Sequence, residues 1–283
     1  MYLYAVRVPA GVNRYLQLFR TGNALMGIVG VVIACFMAKG LDVLDEWQGI
    51  LICAVVVFLF ICGGNAMNDY VDYEIDKTAH PERPIPSGRM ERKEALRAAI
   101  VTMVASVAVS FLTLDPVCIA IVIIACILML AYERFLKQRG FVGNLTIAVL
   151  TGMMFLLGSA MVGNVWDNLV VALMAMSVSV GREISKDIED MDSDEGRRTL
   201  PMSVGVKAAS AVASVFFIAG PVICIYPLYM GTYHVLFWTV LIALAIFIYC
   251  AVIVFKDPHK AQKFAKFGML FGLLAFILGV IPV

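Results

Sequence analysis

The chain has 283 residues, of which 61% are hydrophobic and only 15% charged, and its mean hydropathy is +0.90. A soluble domain is about half apolar and a quarter charged, so this composition excludes an ordinary soluble protein and indicates a membrane protein. The formal net charge is only +1, but the basic residues are distributed unevenly along the chain.

Apolar segments of membrane-spanning length recur along the whole chain. Because a hydrocarbon core about 30 Å thick needs roughly 20 apolar residues per helix, they predict nine transmembrane helices. The segments lie near 21–38, 48–67, 95–113, 116–132, 145–162, 168–184, 208–229, 233–255 and 267–283. We therefore expect an all-α integral membrane bundle that forms one domain over residues 1–283.

The basic residues lie on one side of this predicted bundle. All 22 lysines and arginines except Lys39 fall in or beside the N-terminal segment and the loops near 68–94, 133–144, 185–207 and 256–266. Loops rich in Lys and Arg stay in the cytoplasm. The chain is thus expected to be a multi-pass protein of the cell membrane with a cytoplasmic N-terminus and an external C-terminus.

An acidic pattern occurs twice on the cytoplasmic side. The stretches "NDYVDYEID" and "KDIEDMDSD" both read D-x-x-D-x-x-x-D, each follows an even-numbered span, and each precedes arginine and proline in "ERPIP" or "GRRTLP". In a continuous helix, positions i, i+3 and i+7 share one face. The pattern predicts two acidic stripes at the cytoplasmic mouth of the bundle, made by Asp69, Asp72 and Asp76 and by Asp187, Asp190 and Asp194.

The two stripes are suited to a hard divalent cation. Mg²⁺ prefers oxygen ligands, usually carboxylates together with substrate phosphate oxygens, and Asn68 adds an amide to the first stripe. A single acidic run is often only a solvated face, but two copies with the same spacing favour a ligand. We expect Mg²⁺ to bridge a diphosphate between the stripes, with lysine and arginine on the remaining phosphate oxygens.

Further polar residues lie at the cytoplasmic ends of spans 1 and 4. The stretch "AYERFLKQRGFVGN" places Tyr132, Lys137 and Asn144 on the same side as the stripes, and Lys137 is a candidate phosphate ligand. Arg20 and Asn23 are three residues apart and are expected on one helix face at the entry to span 1.

These motifs resemble the signatures of the UbiA superfamily of intramembrane prenyltransferases. The resemblance rests on "NDYVDYEID" with "RPIPSG", on "KDIEDMDSDEGRRTLP", on Y-x-x-x-L-K from Tyr132 to Lys137, and on R-x-x-N from Arg20 to Asn23. It implies nine helices around a central cavity and Mg²⁺-dependent transfer of a prenyl group from a diphosphate. Thr21 stands where the superfamily often has proline, and the second motif carries extra acids at Asp192 and Glu195.

Within the superfamily, K-D-I-E-D followed by R-T-L-P is similar to archaeal ether-lipid enzymes. This implies transfer of geranylgeranyl from geranylgeranyl diphosphate to the sn-2 hydroxyl of geranylgeranylglyceryl phosphate. The substrates would be a prenyl diphosphate and a lipid acceptor, membrane lipid would surround the protein, and neither a nucleic acid nor an obligatory protein partner is expected.

The resemblance also implies roles for individual residues. Two Mg²⁺ ions would be held by catalytic ligands from the two motifs, namely Asn68, Asp72 and Asp76, and Asp187, Asp190 and Asp194. Substrate contacts would come from Arg20, Asn23, Asp69, Arg83, Tyr132, Lys137, Asn144, Arg182, Lys186, Arg197 and Arg198.

Two alternatives stay open from the sequence. A superfamily member of this kind would also suit an aromatic quinone precursor or haem as acceptor. A cation-coupled transporter is the alternative from another class, because acidic residues in membrane bundles often mark ion paths. Transporter sites tend to lie at the membrane midplane, whereas these acids lie at one face.

Overall fold

The computed structural model describes residues 13–191 and 198–280, which consist of helices and their connections, and no strand occurs in these two ranges. The predicted all-α fold is therefore confirmed. The longer helices are numbered α1 to α9 in chain order. They are α1 (Thr21–Lys39), α2 (Trp47–Val71), α3 (Arg92–Ser110), α4 (Pro116–Ala131), α5 (Phe141–Val162), α6 (Leu169–Glu189), α7 (Val206–Tyr229), α8 (Val240–Ile253) and α9 (Pro258–Val280).

Shorter helical segments precede or connect the long helices. They are α-helical at Arg14–Leu18, Tyr73–Ala79 and Leu200–Val204, 3-10 helical at Gly40–Glu46, Phe111–Thr113 and Val235–Thr239, and π-helical at Tyr132–Leu136. Two of them, Tyr73–Ala79 and Tyr132–Leu136, follow the ends of α2 and α4 and carry residues of the candidate site.

Helix α9 begins earlier than hydropathy predicts. The ninth span was expected at 267–283, but the helix starts at Pro258. Asp257 caps it, because its carboxylate accepts a hydrogen bond of 2.9 Å from the Lys260 backbone N–H, and this bond is the main reason that the pKa of Asp257 is lowered. Most of the lysine-rich stretch 256–266, which was interpreted as a loop from its charge, therefore lies in the helix, whose first turns are residues 258–266.

The long helices form a closed ring. Each helix packs against the next one along the chain, and α9 returns to contact α1. Additional contacts of α5 with α1 and of α6 with α9 cross this ring. A closed ring is the arrangement that the predicted central cavity requires, and the cavity itself stays a prediction.

Small residues allow α1 and α5 to approach closely. A Cβ added at Gly158 would lie 2.5 Å from the Ala34 Cβ and 3.1 Å from the Ala34 backbone carbonyl carbon. Membrane helices associate largely through such close packing, because lipid removes most of the hydrophobic driving force between them. The contact holds α5, whose first turn carries Asn144, against the opposite wall of the bundle.

Seven segments of the described residues are long and apolar enough to cross a membrane by length and composition. One of them, Thr21–Val71, contains both α1 and α2. Helix α6 is not among the seven because Arg182, Glu183 and Lys186 lie in its last two turns. Each predicted span thus coincides with one long helix, while nine membrane crossings remain a prediction.

Candidate active site

The first aspartate motif lies where α2 ends. Helix α2 stops at Val71, Asp72 has a non-helical backbone, and a separate short helix begins at Tyr73. The expectation of one continuous helix through the motif is therefore wrong, because Asp72 ends the helix after Asp69 and before Asp76. The Asp72 backbone N–H still donates to the Asn68 carbonyl oxygen at 2.9 Å.

The second motif ends its helix at the equivalent residue. Helix α6 stops at Glu189, and Asp190 follows with φ −86° and ψ 0°, close to the −79° and 7° of Asp72. The Asp190 N–H donates to the Lys186 carbonyl oxygen at 2.9 Å. Both middle aspartates therefore cap a helix in the same way, so the repeat seen in the sequence is also a repeat in backbone geometry.

The three carboxylates of the first motif are buried and paired with different cations. Asp69, Asp72 and Asp76 are 2%, 8% and 3% exposed. Their closest ion-pair contacts are Asp69 with Arg20 at 2.6 Å, Asp76 with Arg83 at 2.6 Å and Asp72 with Lys137 at 2.7 Å. A buried charge is tolerated only when it is paired and hydrogen-bonded, so these cations explain how the clustered acids coexist.

Arg20 reaches the first motif from a left-handed backbone. It precedes α1 with φ 46° and ψ 56°, a conformation that costs a non-glycine residue about 1–2 kcal/mol. Its Nη2 donates to Asp69 Oδ1 at 2.6 Å and to Asn68 Oδ1 at 3.2 Å. Arg20 and Asn23 therefore do not share a helix face, because Arg20 lies before the helix, and the Asn23 side chain is exposed.

Sequence reasoning missed Glu133. This residue lies in the π-helical turn after α4 and is 5% exposed. Its carboxylate accepts hydrogen bonds from Lys137 Nζ at 3.2 Å and from Asn68 Nδ2 at 3.3 Å. The signal in the sequence was a lone acid at the end of an apolar span, four residues before a lysine.

The second motif is held by α5. Asn144 Nδ2 donates to Asp187 Oδ2 at 3.0 Å. Glu189, at the end of α6, accepts from Gln262 Nε2 at 2.9 Å and lies 2.7 Å from His259 Nδ1, so α9 also contacts this helix end. Asn144 was predicted on the same side as both stripes, and its amide contacts the second one; its role in substrate binding stays a prediction.

Several basic residues that were predicted to contact substrate do not pair with the aspartates of the two motifs among the described contacts. Arg182 forms an ion pair with its neighbour Glu183, and Lys186 and Arg198 are exposed. Two predicted residues, Asp194 and Arg197, lie outside the described residues.

The segment 132–144 joins the two motifs. Lys137 near its middle contacts Asp72 of the first motif, and Asn144 at its end contacts Asp187 of the second. Tyr132, at its beginning, has its ring centroid 5.9 Å from Lys137 Nζ. This segment thus connects two stretches that are more than a hundred residues apart in the sequence.

Gly140 lets the chain after the second motif pass close to this segment. Its φ is +54°, which favours glycine, and an added Cβ would lie 3.2 Å from the Arg198 carbonyl oxygen and 3.3 Å from the Leu200 nitrogen. Thr199 is 3% exposed at this contact. The backbone that carries Arg198 therefore packs against the segment 132–144.

The oxygen donors of the first motif fit a hard divalent cation in their chemistry. Asp72 and Asp76 supply carboxylates and Asn68 an amide, which are the ligand types that Mg²⁺ prefers. Within residues 13–191 and 198–280, no three histidine, cysteine, aspartate or glutamate side chains are arranged to hold a metal ion. The first-motif carboxylates face lysine and arginine instead, so metal binding requires these ion pairs to open.

Comparison with known proteins gives consistent matches over nearly the whole chain. Residues 28–277 match the UbiA prenyltransferase family. Digeranylgeranylglyceryl phosphate synthase of Methanosphaera stadtmanae is 34% identical over 282 residues, which cover 95% of this chain and 100% of that protein. The synthase of the same name from Thermococcus kodakarensis is 35% identical over 273 residues, which cover 93% of this chain and 96% of that protein.

Solved structures share the fold. A structure of digeranylgeranylglyceryl phosphate synthase has 29% identity and a TM-score of 0.80 and covers 95% of this chain and 98% of its own. A UbiA homologue from Archaeoglobus fulgidus bound to DMAPP and Mg²⁺ has 12% identity and a TM-score of 0.65, with 95% and 100% covered. At that identity, the second likeness concerns the fold alone.

Proposed function

The chain belongs to the UbiA prenyltransferase family, and from this premise we propose that it transfers a geranylgeranyl group from geranylgeranyl diphosphate to the sn-2 hydroxyl of geranylgeranylglyceryl phosphate. The product is an ether, and the second product is diphosphate. The proposed substrates follow the curated relatives, which are named digeranylgeranylglyceryl phosphate synthase at 34% and 35% identity.

The observation that carries the proposal is the contact of segment 132–144 with both aspartate motifs. Lys137 lies 2.7 Å from Asp72, and Asn144 lies 3.0 Å from Asp187. A diphosphate has two phosphoryl groups, and carboxylates from two motifs that one lysine-containing segment contacts suit a metal-bridged diphosphate.

We assign the metal-binding role to oxygen donors of both motifs. Bound Mg²⁺ would stabilise the negative charge that develops on the diphosphate as the allylic carbon–oxygen bond breaks. The residues proposed to hold two Mg²⁺ ions are Asn68, Asp72 and Asp76 in the first motif and Asp187, Asp190 and Asp194 in the second.

The cations around the first motif have a second proposed role. Lys137 and Arg83 neutralise Asp72 and Asp76, and both would be available to phosphate oxygens if these carboxylates held a metal ion. Further contacts with anionic groups are assigned to Arg20, which pairs with Asp69, and to Lys186 and Arg198, whose exposure supports this role. The phosphate of the acceptor requires such cations, whereas an uncharged aromatic acceptor would not.

The transfer step needs one bond to break and one to form. The C1–oxygen bond of geranylgeranyl diphosphate breaks with the electron pair going to the diphosphate, the sn-2 oxygen of the acceptor bonds to C1, and the hydroxyl proton passes to the released diphosphate or to water. An allylic cation reacts with water, so a site enclosed by apolar helices favours transfer to the acceptor over hydrolysis. We place this site on the cytoplasmic side of the membrane, in line with the basic loops.

The experiment is a product analysis with the purified full-length protein and matched variants. Geranylgeranyl diphosphate is supplied with geranylgeranylglyceryl phosphate, an aromatic quinone precursor or haem, with and without Mg²⁺. We expect ether product and diphosphate release only with the glyceryl phosphate lipid and Mg²⁺. Near-normal turnover by Asp72→Ala and Asp190→Ala proteins would contradict the metal assignment, and prenylation of another acceptor would contradict the proposed substrate.

A further inference from the structure

Glu133 is a buried carboxylate that the proposed mechanism has not used. Its side chain is only 3% exposed and lies beside Asp72, the central carboxylate of the first motif. The two carboxylates share the same donors, because Lys137 Nζ and Asn68 Nδ2 each contact both of them. The Lys137 ammonium group and the Asn68 amide therefore each donate hydrogen bonds to both carboxylates.

This sharing is unequal. Lys137 Nζ is 2.7 Å from Asp72 Oδ2 and 3.2 Å from Glu133 Oε2. Glu133 lies in the π-helical turn Tyr132–Leu136, and Lys137 follows that turn directly. Because the two residues are only four positions apart in the sequence, their pairing is local and does not depend on what Asp72 binds. The pairing of Lys137 with Asp72 joins α2 to this turn and is the one that a metal on Asp72 would displace.

We propose that Glu133 is a positioning residue that keeps Lys137 in the site when Asp72 exchanges the lysine for a metal ion. Its carboxylate remains as a counter-ion for the ammonium group and lowers the cost of releasing Asp72. Its oxygens accept from Asn68 and Lys137, so it acts through these residues and is assigned no substrate contact of its own. This inference rests on the proposed metal role of Asp72.

Without Glu133, Lys137 would bind Asp72 alone. The carboxylate of Asp72 would then be less available to a metal, and the ammonium group would have no second partner in the turn. Loss of a hydrogen bond to a charged group typically changes an equilibrium by about tenfold or somewhat more. The effect passes through Lys137, which distinguishes it from a simple loss of negative charge near the metal.

The test measures Mn²⁺ binding to the purified full-length protein by the electron paramagnetic resonance signal of free Mn²⁺, with and without inorganic diphosphate. We expect Glu133→Gln to weaken Mn²⁺ binding about tenfold and Glu133→Asp to weaken it less. Glu74→Gln is the matched control, because Glu74 is a 70% exposed acid that pairs with Lys77 at 2.8 Å near the same motif, and it should leave binding unchanged.

A double-mutant cycle identifies the route of the effect. In a Lys137→Met background, the ion pair between Lys137 and Asp72 is already removed, so adding Glu133→Gln should change Mn²⁺ binding by less than about twofold. The same tenfold loss in both backgrounds would overturn the positioning role. If Glu133→Gln does not fold, Glu133→Asp and the double variant, which removes both charges, carry the comparison.

The failures of the two proposals are distinguishable. A wild-type protein that binds neither Mn²⁺ nor its diphosphate complex would overturn the proposed function and this inference with it. A wild-type protein that binds both, with Glu133→Gln indistinguishable from Glu74→Gln, would overturn only the role of Glu133.

Discussion

Replacing Lys137 with methionine tests the electrostatics of the first motif most directly. Methionine keeps much of the side-chain volume but removes the only cation that contacts both Asp72 and Glu133 among the described residues. These two carboxylates are 11% and 3% exposed, so the variant leaves two poorly solvated negative charges next to one another. We expect a less stable protein with little transferase activity.

The size of the effect follows from the burial of the pair. Removing one partner of a buried ion pair costs about 3–5 kcal/mol, because the other charge is left uncompensated. Asn68 still donates to both carboxylates in the variant, so we take the lower end, about 3 kcal/mol. For a chain of this size, that loss corresponds to a decrease of about 6–12 °C in the apparent melting temperature.

The assay is thermal unfolding in detergent over a series of Mg²⁺ concentrations. A divalent cation replaces the missing ammonium group, and a ligand that binds the folded state stabilises it in proportion to its affinity. Mg²⁺ should therefore raise the melting temperature of Lys137→Met more than that of the wild type. The control is Lys77→Met, which removes an exposed lysine paired with Glu74 and should change neither quantity.

Two results would refute this reasoning. An unchanged melting temperature would mean that Lys137 does not neutralise the buried acids. Equal or smaller stabilisation of the variant by Mg²⁺ would mean that the ammonium group and the metal do not compete for the same carboxylates.

Three further predictions concern the supporting contacts. Arg20→Gly and Arg20→Ala both lose the 2.6 Å ion pair with Asp69, but only glycine adopts φ 46° without strain. The free energy of unfolding should therefore be about 0.5–1 kcal/mol higher for the glycine variant than for the alanine variant. Equal values would contradict the left-handed backbone at this position. Gly140→Ala should lower both thermal stability and prenyl-transfer activity, because φ is positive and the new Cβ would press on the Arg198 backbone. Gly88→Ala is the control, because its φ is also positive but no atom lies within 4 Å of the new Cβ. It should lower stability alone. Asn144→Leu should reduce Mg²⁺-dependent transfer about tenfold by removing the bond to Asp187, and unchanged turnover would contradict the link between segment 132–144 and the second motif.

Side-chain chemistry made the first motif predictable. Three acids within eight residues cannot be buried without compensation, and the sequence pointed to Mg²⁺ as the compensating charge, with lysine and arginine on the substrate phosphate. The structure pairs them with Arg20, Arg83 and Lys137, all of which were predicted as site residues from the sequence. The identity of each pair was not predictable, because it depends on how segments far apart in the chain pack.

Backbone geometry was less accessible to sequence reasoning. Periodicity places Asp69, Asp72 and Asp76 on one helix face, but it does not say where a helix ends, and the helix ends at Asp72. Glu133 was missed for a related reason. It lies at the end of an apolar span, where a single acid is usually interpreted as part of a solvated loop, and its burial depends on the packing of the turn against neighbouring helices, including α2 and α5.

The ends of α2 and α6 explain why an anionic substrate is expected to bind as a metal complex. Both helices end at the middle aspartate of a motif, so their C-terminal carbonyls add a partial negative charge to that of the carboxylates. Such a helix end attracts cations and repels a bare diphosphate. In the first motif, lysine and arginine supply the positive charge next to the helix end. In the proposed complex, bound metal would supply this charge instead, and the diphosphate would supply anionic oxygens for the displaced lysine and arginine. The same arrangement of opposite charges therefore accounts both for the stability of the folded site and for its proposed selection of a metal-bound diphosphate.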